Sequence, residues 1–141
     1  MKIAIIGAGN LGLSIAKGLL TNNIITQLYL TKRNPSSISD WGEYKNTHIT
    51  DDNAEAISSS DVIIFAVQPA QFSEVLAKNA DLFTEKHVLI STVTGFSIEK
   101  MEAVVGNDKY IIRSMPNTAI SVGKSMTCLL YTSPSPRDLS T

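Results

Sequence analysis

Ile3-Ala4-Ile5-Ile6-Gly7-Ala8-Gly9-Asn10-Leu11-Gly12 is the stretch whose reading decides the fold. A short apolar run stops abruptly at three spaced glycines. Leu11, Ile15 and Leu19 then recur at helical spacing. This is strand, tight turn, helix. Gly7 suits the sharp exit from the strand, Gly9 lets a pyrophosphate approach bare backbone, and Gly12 lets the helix lie close to the strand. The helix N-terminus adds free N–H groups and the positive end of a dipole. A G-x-G-x-x-G placed directly between a strand and a helix implies a bound dinucleotide. The competing reading is a glycine-rich turn that binds nothing.

Composition narrows the class. The chain has 141 residues, 43% of them hydrophobic and 18% charged, as expected of an ordinary globular protein with a core of its own. A net charge of −1 gives no electrostatic case for nucleic acid or a membrane surface as partner. Cys128 is the single cysteine, so neither a disulfide framework nor a cysteine metal cluster is expected. No apolar run reaches the ~20 residues of a membrane span. The glycine turn also breaks the N-terminal apolar stretch before a signal peptide could form. The expected setting is cytoplasmic, with a small-molecule substrate. His48 and His87 have no companions at metal-ligand spacing and are expected to be structural or exposed, so no metal is expected.

Downstream, the strand–helix alternation continues. A helix over residues 10–20 is followed by a strand, Gln27-Leu28-Tyr29-Leu30-Thr31. Asn34-Pro35-Ser36-Ser37 turns the chain into a short, weakly patterned helix over 37–44, where Trp41 packs. A third strand covers 46–50. Asp52-Asn53-Ala54-Glu55 has the form of a helix start, with Asp52 as cap. Asp61-Val62-Ile63-Ile64-Phe65-Ala66-Val67 is apolar without alternation, as a parallel strand covered on both faces must be. Pro69 opens the next helix, which turns Phe72, Val75 and Leu76 inward. A strand over 87–91, a helix capped by Ser97 and ended by Gly106, and a strand over 110–114 complete the pattern. The expected fold is α/β: a Rossmann-type, doubly wound, mostly parallel sheet. Ligands in such sheets bind outside the carboxyl ends of the strands, so the loops leaving the strands should line one rim.

The end of the second strand bears on cofactor choice. An NAD-selective site places an Asp or Glu about 20 residues beyond the glycine turn, to hold the ribose hydroxyls. Thr31-Lys32-Arg33-Asn34 stands there instead. Lys32 offers charge and Arg33 a planar fork of donors to a 2′-phosphate, which favours NADP, with NAD as the alternative. The competing reading of these two cations is a solvated turn.

Together, Gly7-Ala8-Gly9-Asn10-Leu11-Gly12, Thr31-Lys32-Arg33-Asn34, Ala66-Val67-Gln68-Pro69, Ser91-Thr92-Val93-Thr94-Gly95 and, above all, Arg113-Ser114-Met115-Pro116-Asn117-Thr118 resemble the pyrroline-5-carboxylate reductases over residues 1–128. That family reduces 1-pyrroline-5-carboxylate to L-proline with hydride from NAD(P)H. The resemblance implies that Gly7, Ala8, Gly9, Asn10, Leu11 and Gly12 hold the pyrophosphate. Thr31, Lys32, Arg33 and Asn34 would meet the adenosine ribose and its phosphate. Asn53 matches a family asparagine that touches the cofactor, and Ala66, Val67, Gln68 and Pro69 would lie along it. The family usually has lysine where Gln68 stands. Thr92, Val93 and Thr94 would approach the nicotinamide, and Met115, Pro116 and Asn117 would border the substrate pocket.

The family continues into a helical domain that forms a homo-oligomer and supplies substrate-binding side chains, and no such segment follows here. Residues 1–130 are therefore expected to be the NAD(P)-binding domain. The Ser-, Thr- and Pro-rich residues 131–141 read as a disordered tail, foreign to the family and artefactual in origin, against the alternative of a regulatory tail. The chain alone should bind cofactor and turn over little substrate, because much of catalysis lies in near-attack placement of the substrate. An exposed apolar face is expected where a second domain would dock. Two alternatives stand beside this reading. One is another NADP-dependent reductase, of hydroxyacid or coenzyme F420-linked type; the other is an NADP-binding module without chemistry.

Overall fold

Ile3, Ala4, Ile5 and Ile6 are each at most 1% exposed, and Val62, Ile63, Ile64 and Phe65 at most 3%. Neither run alternates with polar residues, because each strand is covered on both faces. The structure, a computed structural model, describes residues 2–21, 27–44 and 46–114. Its strands are β1 (Lys2–Ile6), β2 (Gln27–Thr31), β3 (Thr47–Thr50), β4 (Val62–Phe65), β5 (Val88–Ser91) and β6 (Tyr110–Arg113). They form one sheet in the order β3-β2-β1-β4-β5-β6, with every neighbouring pair parallel. The helices are α1 (Asn10–Thr21), α2 (Asn53–Ser58), α3 (Pro69–Lys78) and α4 (Ile98–Val105). The expected doubly wound Rossmann-type sheet is what the chain forms.

The pleat sorts each apolar run between two cores. Ile3, Ile5, Ile64, Ile90 and Ile112 face the layer of α1 with its Ile15, Ala16 and Leu19. Ala4, Ile6, Ile63, Phe65, Leu89 and Ile111 face α2, α3 and α4. On this second face the Phe65 ring sits 5.0 Å from Phe72 and 6.1 Å from Phe83. Full burial of one such side chain is worth about 1.5–3 kcal/mol, so these faces are what hold the strand exits in place.

Local signals set the boundaries. Asp52 caps α2 by accepting from the Glu55 N–H at 3.2 Å, and Ser97 caps α4 by accepting from the Lys100 N–H at 3.1 Å. Gly106, at φ +99°, ends α4. Two expectations change. The weak helix over 37–44 is a 3₁₀ segment, Pro35–Glu43, kinked at Ile38. Ser36 and Ser37 turn their hydroxyls back onto Asn34, which competes with α-helical bonding. The fourth strand stops at Phe65, so Ala66 and Val67 belong to its exit loop. His87 is buried: its Nδ1 accepts from the Thr84 N–H at 3.0 Å, and its Nε2 lies 3.1 Å from the Ile57 carbonyl. His48 is exposed and stacks on Tyr29. The expected apolar docking face is not found among the described residues, where Tyr44 at 49% is the exposed large hydrophobic side chain. No helix among them is long and apolar enough to cross a membrane, and no group of three or more His, Cys, Asp or Glu could hold a metal.

Candidate dinucleotide site

The chain leaves β1 for β2 and β3 on one side, then returns to the other side of β1 as β4. The crevice between the β1 and β4 exits is therefore the topological switch point, where ligands of such sheets bind. The three glycines of the turn meet different constraints. Gly7 has φ +94°, and a Cβ there would lie 2.6 Å from Val67 Cγ1 and 3.0 Å from the Ala66 carbonyl. A Cβ on Gly12 would lie 2.4 Å from the Gly7 carbonyl oxygen. Both positions are glycine because the fold leaves no room for anything else. A Cβ on Gly9 meets nothing within 4 Å. Its backbone is not left-handed, and it immediately precedes α1, where Ser, Asp or Asn would cap the helix better. Nothing among the described residues requires glycine at this place.

The turn is held from beneath. The Gly9 N–H bonds the Gly7 carbonyl at 2.9 Å, and the Leu13 N–H bonds the Gly9 carbonyl at 2.9 Å to begin α1. Without a side chain, Gly9 offers no side-chain cap to the first N–H groups of α1. No acidic residue stands in that first turn to offset the positive dipole end.

In front of the turn lies a groove of about 470 Å³, within the range of ligand sites. Ile6, Gly7, Ala8 and Gly9 form its base, Thr31, Lys32 and Arg33 one end, Asn53 a wall, and Ala66, Val67 and Gln68 the facing wall. The structure thus gathers ten of the proposed cofactor residues around one groove. Lys32 is tied to β3 through its N–H to the Thr50 carbonyl at 3.1 Å, which fixes the basic corner to the sheet. Asn53 opens α2 just behind the Asp52 cap.

Other proposed residues stand elsewhere. Asn10 is exposed on the first turn of α1, Leu11 is half-buried against the core, and Gly12 is buried. Asn34 is exposed and accepts from the Ser36 hydroxyl at 2.6 Å. Pro69 is exposed at the start of α3. Thr92 and Val93 are 3% and 4% exposed, Thr94 is exposed, and none of the three lines the groove. Met115, Pro116 and Asn117 lie outside the described residues, as does the 131–141 tail.

The groove also contains residues that the sequence reading missed. Gln71, Glu74, Val75 and Lys78 extend one wall along α3, with Asn79 after them, and Asp51 follows β3. Spacings of three and four along α3 put its four residues on one face beside its buried one, a pattern that any solvated helix face shares. Among the described residues, Lys32, Arg33, Lys78, Asp51 and Glu74 form no ion pair. The groove therefore presents unspent charge of both signs, with the cations Lys32 and Arg33 at one end.

Residues 2–95 match the model of a family described as NADP oxidoreductase, coenzyme F420-dependent. Pyrroline-5-carboxylate reductase 1 of Dictyostelium discoideum is 42% identical over 90% of this chain, which spans 23% of that relative's length. Among solved structures, a pyrroline-5-carboxylate reductase of Coxiella burnetii is 32% identical with a TM-score of 0.76; the match covers 85% of this chain and 45% of that one. A pyrroline carboxylate reductase of Plasmodium falciparum with NADP bound is 26% identical with a TM-score of 0.69; the match covers 82% and 42%.

Proposed function

We propose, for a chain that belongs to the coenzyme F420-dependent NADP oxidoreductase family, that its groove binds NADP(H) as the cofactor half of a pyrroline-5-carboxylate reductase. When bound, the cofactor would supply hydride to the carbon of the C=N bond of 1-pyrroline-5-carboxylate while the nitrogen takes a proton from solvent, giving proline and NADP⁺. The protein's part is to bind, orient and exclude water. The observation that carries the reading is Gly9: a position that the described residues leave free, yet without a side chain, at the start of α1. An approaching pyrophosphate supplies the missing reason.

In this reading the N–H groups of the glycine turn and of the first turn of α1 take the pyrophosphate. Lys32 and Arg33 take the 2′-phosphate, with Asn34 at the edge of that corner. Asn53 and the Ala66-Val67-Gln68-Pro69 exit flank the cofactor. The β5 exit, 92–94, extends the site toward the nicotinamide, with Met115, Pro116 and Asn117 at the substrate. Support for pyrroline-5-carboxylate comes from the relatives' names and from the Met115-Pro116-Asn117-Thr118 element. A cytoplasmic setting, read from composition, and a homo-oligomeric whole protein, implied by the resemblance, belong to the same proposal.

Titration of the 141-residue chain, followed by nicotinamide fluorescence, tests the cofactor. NADPH should bind at least about tenfold tighter than NADH, the equivalent of one bidentate charged contact. Arg33→Ala should erase most of that preference. Equal affinity in the parent chain overturns the NADP assignment. Presented with 1-pyrroline-5-carboxylate, this chain alone should turn over little, because the described residues that line the groove are those proposed to hold the cofactor and their neighbours on α3, and near-attack placement needs a surface for the substrate as well. Brisk turnover would show that these residues form a whole site. The family description favours a second reading, oxidised coenzyme F420 as hydride acceptor, and reduction of that acceptor by NADPH on this chain would replace pyrroline-5-carboxylate.

A further inference from the structure

We propose that Thr31 is a positioning residue that clamps the glycine turn to the end of β2, setting the pyrophosphate seat and the 2′-phosphate corner at a fixed separation. The inference rests on the NADP reading and adds to it a part that does not touch the cofactor through the phosphate corner. Two consecutive N–H groups of the turn end on this single residue. The Gly7 N–H donates to Thr31 Oγ1 at 3.2 Å, and the Ala8 N–H donates to the Thr31 carbonyl at 2.7 Å. Thr31 itself is 2% exposed, and its bond to the Gly7 N–H is part-buried at the base of the groove. The next two residues are Lys32 and Arg33, at the basic end of the groove. Parallel pairing of Ile6 with Thr31 brings the two strand ends level, but it fixes only the strands. The last register pair is Ile6 with Thr31, and at Gly7, φ +94°, the chain turns away from the strand direction. The threonine hydroxyl takes the Gly7 N–H just beyond that pair. One residue thereby connects the two phosphate-binding places.

The role separates from direct phosphate contact by its cofactor dependence. Pyrophosphate is common to NADPH and NADH, whereas the 2′-phosphate is not. Thr31→Val removes the hydroxyl and keeps the shape and the carbonyl bond. It should weaken both cofactors alike, by about fivefold, as expected for one hydrogen bond of ~1 kcal/mol, leaving the NADPH-to-NADH ratio unchanged. Thr31→Ser should restore parental affinity. Loss confined to NADPH, unchanged affinity, or equal loss in the serine variant would each overturn the clamp. Amide exchange of the cofactor-free parent chain gives a measurement that needs no variant to fold: the Gly7 amide should be protected, and an unprotected Gly7 amide overturns the proposal. A parent chain with a protected Gly7 amide but no affinity for NADPH would instead sink the NADP reading and leave the clamp standing as structure.

Discussion

The rim of this sheet has two halves, and they are finished to different degrees. The exits of β1, β2, β3 and β4 converge on one groove, with a glycine turn, a basic corner and uncommitted charges. The exit of β5 is closed on itself. Thr92 gives both its N–H and its hydroxyl to the Phe65 carbonyl, at 3.1 and 2.7 Å, and the Val93 N–H is taken by the Ser91 hydroxyl at 3.2 Å. A binding surface and a scaffold differ here in whether polar groups remain unspent, more than in where they stand on the fold. Among the described residues, those that line the first half all fall between Ile6 and Asn79. The β5 half offers Thr94 and Gly95 to solvent over a buried base. It would meet a nicotinamide only as a floor.

The glycines are the sharpest way to break this contrast. Gly12→Ala should have the largest effect. A helical Gly→Ala change ordinarily gains up to about 1 kcal/mol, but here the added methyl would stand 2.4 Å from a backbone oxygen that cannot rotate away. The helix must lift from the turn, at a cost on the order of 2–3 kcal/mol. Thermal unfolding should fall by roughly 5–15 °C, and cofactor binding should be lost with it. Gly9→Ala should leave stability nearly unchanged. Its methyl meets no atom of the described residues within 4 Å, so unfolding should move by less than about 1 kcal/mol. NADPH affinity should nevertheless drop at least about tenfold, since the methyl occupies the phosphate's path. A Gly9→Ala chain that binds NADPH as the parent does would remove the main argument for the site.

Much of this was legible in the sequence, for a physical reason. Doubly buried parallel strands must be unbroken apolar runs, and β1 and β4 announce themselves that way. Asp52, Ser97 and Gly106 act through bonds to residues three or four positions away, so local sequence contains both partners. The groove's α3 wall was not read, because Gln71, Glu74 and Lys78 look like any solvated helix face until the sheet order places α3 beside the glycine turn. The role of Thr31 was hidden for the same reason. Its position at a strand exit suggested a ligand contact, while its partner, the Gly7 N–H, lies 24 residues earlier in the chain. The spent state of Thr92 depends likewise on the carbonyl of a neighbouring strand, which no spacing rule supplies.

Thr92→Val is the change that should do least, and its smallness is informative. The substitution keeps the side-chain shape and removes one buried hydroxyl. The Phe65 carbonyl is not orphaned, because the Thr92 N–H still reaches it at 3.1 Å. The full penalty for an unsatisfied buried acceptor, about 1–3 kcal/mol, therefore does not apply; the loss is the net worth of one extra hydrogen bond, about 1 kcal/mol or less. The added methyl lies in a residue 3% exposed, beside an apolar layer, and regains part of that. Unfolding should shift by no more than a few degrees, and NADPH affinity should stay within about twofold of the parent. Thr94→Val, at the exposed position two residues on, is the paired control for the same loop. A fivefold or greater loss of NADPH affinity in Thr92→Val, with unfolding unchanged, would place that hydroxyl on the cofactor. The β5 exit would then count as part of the binding surface, and the division of the rim into a finished and a closed half would have to be redrawn at β6.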